Sequence, residues 1–138
     1  MNQTALWLAI GIGVLTNTFL LILVWAFSLG ATATALLKLW LIFLPIGVLS
    51  GAAAFTAIAY LQRSMNLTWI ILVTVVGSFS GWVIGMGLAT RNTSVPESYF
   101  RFYLLLGVLG GSIVVEVFIT LVGAILMKLL RRSSNLER

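Results

Sequence analysis

Apolar residues fall in four long runs, and the polar residues gather between them. The runs cover 5–29, 39–61, 67–89 and 103–127. Each is longer than the about 20 residues a helix needs to cross the hydrocarbon core of a bilayer. None contains Lys, Arg or Asp, and only the last contains Glu. In lipid the backbone N–H and C=O groups must be bonded internally, so runs of this kind form helices and not strands. The pattern predicts an all-α fold, an integral membrane four-helix transmembrane bundle. It forms a single domain over residues 1–138, with helices over roughly 5–29, 39–61, 67–89 and 95/103–130. The connections are short, at 30–38, 62–66 and 90–102. In the third, Ser94-Val95-Pro96-Glu97 reads as a helix start, with Ser94 as cap and Glu97 reaching back to it. The fourth helix then begins ahead of its apolar run. Pro45 lies inside the second helix, where it can introduce a kink.

Small residues recur at four-residue spacing within these runs. The third helix carries Gly77, Gly81 and Gly85, with Thr74 and Ser78 on the same arc. The second carries Gly47 and Gly51, joined by Ser50, Ala54 and Ala57, and the fourth carries Gly107 and Gly111. Such stripes let helix backbones approach closely in lipid, where van der Waals contact drives association. They suit packing within one bundle, and also a homo-oligomer interface or a pore lining.

Composition sharpens the class. Of 138 residues, 61% are hydrophobic and 8% charged, against about a quarter charged in soluble domains. Cys and His are absent. That excludes disulfides, thiolate catalysis, the usual zinc sites and His-ligated haem. No cofactor and no metal are expected, and an enzyme is not. The net charge of +5 comes from cations at the ends of the runs, which suits lipid phosphates and not a nucleic-acid groove.

Four spans put both termini on one side, together with Arg63, Lys128, Arg131, Arg132 and Arg138. The other side holds Lys38, Arg91 and Arg101. The excess favours cytoplasmic termini by the positive-inside rule, and the expected location is a bacterial plasma (inner) membrane. The bias is small enough to leave dual insertion open. Lys128, Arg131 and Arg132 directly follow the last run and are expected at lipid headgroups. Trp7, Trp25, Trp40, Tyr60 and Trp69 fall near run ends, as interfacial aromatic belts do. Tyr99, Phe100, Phe102 and Tyr103 form a further cluster of this kind. No basic residue precedes the first run, which is also longer than a signal-peptide core, so it reads as a retained helix. Sequons at Asn2, Asn66 and Asn92 fall in short polar segments.

Glu116, near the centre of the fourth run, is the candidate for chemistry. A charged carboxylate at mid-bilayer costs at least about 2.5 kcal/mol, and no Lys or Arg lies within any run. The group must therefore be neutral, bind a cation or meet a partner protein. Ser112 and Thr120 share its face at i−4 and i+4, with Gly123 at i+7. Asn17, Ser50 and Ser78 sit at similar depth in the other three runs. They suggest a midplane polar layer of Asn17, Ser50, Ser78 and Glu116, with a neutral Glu116 donating to the Asn17 oxygen. Glu116, Asn17, Ser50, Ser78, Ser112 and Thr120 are thus the candidate proton- or ion-binding residues. Hydrogen-bond glue between helices is the plainer role for the same layer.

Glu116-Val117-Phe118-Ile119-Thr120 resembles the segment around the membrane glutamate of small multidrug-resistance transporters, which are also four-helix proteins of similar length. That glutamate lies in the family's first helix and Glu116 lies in the fourth, so no residue role is carried over. The motifs of small fluoride channels are absent. The likeness to rotor subunits of ATP synthases stops at a lone carboxyl in a glycine-bearing helix.

Two functions are in view. The first is an accessory, assembly or structural subunit of a larger membrane complex, with Glu116 meeting a partner's donor or cation. The alternative is a small oligomeric channel, or a proton- or cation-coupled transporter, using Glu116 as its embedded carboxyl. The expected partners are the bilayer and either other membrane subunits or further copies of the chain.

Overall fold

The computed structural model describes residues 3–27, 32–62, 66–91 and 97–138. Arg63, Asn2, Asn92 and the cap at Ser94 lie outside the described residues, as do the side chains of Trp25, Glu97, Tyr99 and Phe100. The described chain is all-helical. Its four helices are α1 (Gln3–Phe27), α2 (Ala33–Leu61), α3 (Leu67–Arg91) and α4 (Glu97–Leu136). All four are long and apolar enough to cross a membrane.

Two boundaries differ from the sequence reading. α2 starts six residues before the apolar run, because the Thr32 hydroxyl accepts a hydrogen bond from Ala35 N–H and caps the helix. α4 continues through Lys128, Arg131 and Arg132 to Leu136. Lys and Arg are good helix formers, so the helix outlasts the apolar run. Its 40 residues span about 60 Å, twice the thickness of a bilayer core. α3 is started by Asn66, whose side-chain oxygen accepts from Thr68 N–H.

The helices pack as two hairpins, α1–α2 and α3–α4. α2 meets both α3 and α4, α1 meets α3, and α1 and α4 occupy the far corners. Glycine governs the approach inside each hairpin. A Cβ on Gly13 would strike the Gly47 carbonyl oxygen, and one on Gly51 the Ala9 carbonyl oxygen. In the second hairpin, Gly81 faces Ser112 and the Val108 carbonyl, and Gly85 faces Val108 and the Leu104 carbonyl. Gly107 and Gly111 return the contact onto Gly85 and Gly81, and Gly77 lies on the Glu116 side chain. The seven glycines Gly47, Gly51, Gly77, Gly81, Gly85, Gly107 and Gly111 are all buried. Their stripes face other helices of the same chain.

The molecule is apolar outside and partly polar inside. Trp7, Leu15, Phe19, Val114 and Phe118 are exposed, while Asn17, Ser50, Thr74, Ser78, Ser112, Glu116 and Thr120 are buried. An exterior of this kind suggests a membrane protein, since water would penalise so much exposed apolar surface. Two apolar clusters flank the polar level. One joins Ala9, Ala54, Phe55, Ile58, Ile70 and Val73. The other joins Leu20, Leu21, Phe43, Ile46, Trp82 and Val108, with the Phe43 and Trp82 rings stacked at 4.8 Å.

Of the aromatic residues near run ends, Trp7 and Tyr60 are exposed. Phe102 and Tyr103 pair edge to face at 6.0 Å. Trp40 is half-buried and donates from Nε1 to Thr18 at 2.9 Å, which ties α1 to α2. Trp69 packs at Gly123, between α3 and α4.

Candidate functional site

The buried face of α1 runs Ala9, Gly13, Asn17, Leu20, and that of α4 runs Val108, Ser112, Glu116, Thr120. Spacing of three or four residues keeps each set on one stripe. Asn17 and Glu116 are therefore held inside the bundle by the same geometry that buries the glycines beside them. Asn17, Ser50, Ser78 and Glu116 do come together at one level. Trp82 Nε1 donates to Asn17 Oδ1 at 2.9 Å. Asn17 Nδ2 donates to the Gly13 carbonyl at 2.9 Å and to Ser78 Oγ at 3.3 Å. Ser78 and Ser50 hydroxyls are 3.3 Å apart, and Ser50 Oγ donates to Glu116 Oε1 at 2.5 Å.

The donors run in one direction. A serine hydroxyl has one proton. Ser50 gives its proton to Glu116, so in the Ser50–Ser78 bond Ser78 is the donor. The order is Trp82, Asn17, Ser78, Ser50, Glu116. Reversing the two serines would leave the Ser78 proton without an acceptor in this network. Glu116 Oε1 is thus the acceptor at the end of the chain. Its second oxygen, Oε2, is buried and unpartnered. Thr74 Oγ1 is also buried without a partner. Thr74 lies three residues before Gly77, on the α3 face that covers Glu116.

The expected bond from Glu116 to Asn17 does not form. α1 and α4 stand at opposite corners, and Asn17 Oδ1 is taken by Trp82. Ser112 and Thr120 flank Glu116 but stay outside the network. Their hydroxyls bond their own helix, at Val108 O (2.6 Å) and Glu116 O (2.7 Å). The sequence reading missed Trp82. A search for small polar residues at mid-depth overlooks an indole, whose N–H sits at the far end of a large apolar ring.

All four side-chain bonds along this network cross from one hairpin to the other: Asn17–Ser78, Asn17–Trp82, Ser50–Ser78 and Ser50–Glu116. The hairpins are internally close-packed, and the polar groups lie in the seam between them. Within that seam Glu116 is the one ionisable side chain among the described residues. A carboxylate buried with no cation beside it would be uncompensated. The neutral acid fits the site.

Asn17→Leu tests the network. It would strip the acceptor from Trp82 Nε1–H and the donor from Ser78 together. The expected loss of stability is about 1 kcal/mol, in the range of buried interhelical hydrogen bonds. Unfolding by sodium dodecyl sulfate, followed by circular dichroism, measures it. Unchanged stability would mean that the Trp82–Asn17 bond contributes nothing.

Comparison of the chain with protein-family models, with curated proteins and with solved structures finds no match.

Proposed function

We propose that the chain is an integral membrane protein, a four-helix transmembrane bundle that works as a small proton- or cation-coupled transporter. The observation that carries this reading is the seam. Two tightly packed hairpins meet across a polar layer whose single ionisable group is Glu116. Removing its proton would leave a bare charge inside the layer and weaken the contact between hairpins. A cation or water could then reach the carboxylate. The unpartnered Glu116 Oε2 and Thr74 Oγ1 are the oxygens such a guest would meet first. The reading places both termini in the cytoplasm and the protein in a bacterial plasma membrane, on the distribution of cations at the helix ends.

An accessory or assembly subunit is the second reading. Glu116 is completely buried within the single chain, so this reading draws its support from the outer surface. A different feature supports the reading. Ala52, Ala53, Thr56 and Tyr60 of α2 border an outward-facing groove against Ile113 and Val117 of α4, with a volume of about 550 Å³. Small residues on an outer face admit a neighbouring helix.

Proteoliposomes separate the two. With an imposed pH gradient, the wild-type chain should dissipate protons faster than empty vesicles. Glu116→Gln should fall to the empty-vesicle rate while keeping its helical signal and its elution volume. Wild-type flux equal to that of empty vesicles would sink the transport reading. Co-purification with a stoichiometric set of other membrane chains would favour the second.

A further inference from the structure

α2 ends at Leu61, while α4 carries on to Leu136. Both helices run in the same direction, so α4 outruns its neighbour and leaves a step beside its last turns. A cavity of about 360 Å³ lies in that step, a volume within the range of small-molecule sites. Its lining divides by chemistry. Leu61 and Met127 form an apolar part, and Lys128, Arg131, Arg132 and Asn135 form a polar one. On α4 these four polar residues fall at i, i+3, i+4 and i+7, so a single helical face presents them all.

Gln62 closes the wall. It is the C-cap of α2, its backbone N–H bonding the Ile58 carbonyl. Its side-chain Nε2 reaches Thr120 O at 3.4 Å, and its Oε1 is buried with no partner. The cavity thus brings three cations and an apolar patch together beside Gln62, whose Oε1 is an unused acceptor buried in the wall.

We propose that this cavity binds one anionic phospholipid whose headgroup carries a hydroxyl. Lys128, Arg131 and Arg132 take the phosphate, Arg being suited to it through its planar fork of donors. The headgroup hydroxyl donates to Gln62 Oε1 once the Gln62 side chain, tied by its long 3.4 Å bond to Thr120 O, turns toward the cavity. The first carbons of the acyl chains lie on Leu61 and Met127. A free phosphate would use the cations and leave the apolar patch of Leu61 and Met127 unfilled. The inference rests on the membrane reading above and is independent of transport.

The test uses the full chain and a charge-preserving rearrangement, Arg131→Ser/Arg132→Ser/Ser133→Arg/Ser134→Arg. This keeps the net charge of the tail and turns two cations off the cavity face. Native mass spectrometry in detergent would compare phosphatidylglycerol, phosphatidylcholine and inorganic phosphate. The wild-type chain should retain phosphatidylglycerol roughly tenfold or more over phosphatidylcholine, as expected for loss of a few interfacial cation contacts. The rearranged chain should lose that preference, Gln62→Met should weaken it several-fold, and inorganic phosphate should not be retained. Equal retention of both lipids, an unchanged preference in the rearranged chain, or retention of inorganic phosphate as strong as that of the lipid would each overturn the site. An alkaline carbonate wash of vesicles keeps the two readings apart. A chain stripped by the wash overturns the membrane reading, whereas a chain that resists the wash and shows no lipid preference overturns the cavity alone.

Discussion

Gly51→Ala is expected to destabilise the folded chain by about 3 kcal/mol, the upper end of what overpacking usually costs. The added methyl would land on the Ala9 carbonyl oxygen, with Ile10 Cα at 2.7 Å. Both are backbone atoms inside a helix and cannot swing aside as a side-chain tip can. α1 and α2 would have to separate, and the contacts of Gly13 and Gly47 would loosen with them. Gly110→Ala is the matched control. A Cβ there meets nothing within 4 Å, so its effect should stay within about 0.5 kcal/mol. Unfolding in sodium dodecyl sulfate reads both variants. Equal stability of the two would show that α1 and α2 do not approach closely at Gly51.

Glu116→Lys should be at least as damaging, at about 3 kcal/mol by insertion energies for a cation at mid-depth. An ammonium in the seam would face the Ser50 hydroxyl in place of an acid, and no carboxylate lies near enough to compensate it. Glu116→Met should behave in the opposite way. Methionine is unbranched at Cγ, so it can follow the path of the glutamate past Gly77, whose surface lies directly on the Glu116 Cγ. The Ser50 hydroxyl loses its acceptor, and a helical serine can turn its proton back to the carbonyl four residues before it, so the loss stays near that of one interhelical hydrogen bond, about 1 kcal/mol. Glu116→Met is therefore expected to be as stable as the wild type within about 1 kcal/mol, and inactive in the flux assay. That pairing would mark the carboxyl as retained for function, with little benefit to the fold. A Glu116→Met chain that unfolds as readily as Glu116→Lys would instead make the carboxyl a structural clasp.

The four helices were legible in the sequence because lipid-length apolar runs are a strong signal with few competing solutions. Their ends were less so. Apolar length says nothing of a helix that runs on into Lys128 and Arg132, or that starts at a threonine cap ahead of Lys38. Depth along each run was enough to gather Asn17, Ser50, Ser78 and Glu116 into one level. It could not say which of them touch, since that depends on which helices are neighbours. The diagonal placement of α1 and α4 hands Asn17 to Trp82 and Glu116 to Ser50. The stripes of Gly77, Gly81 and Gly85 announced a close approach without naming the opposing helix. Gly13, which pairs with Gly47 and Gly51, escaped notice because its helix has a mixed face of alanine, glycine and asparagine.

The division of labour between glycine contacts and the polar seam also bears on how the chain is made. Contacts within each hairpin link segments close in sequence, so each hairpin can form as soon as its second helix has been made. The seam links segments far apart, Asn17 with Ser78 and Ser50 with Glu116, and closes only when the second hairpin docks. Until then the first hairpin holds Asn17 and Ser50 with their seam partners missing. A half-built molecule thus carries polar groups without the partners that the finished one gives them.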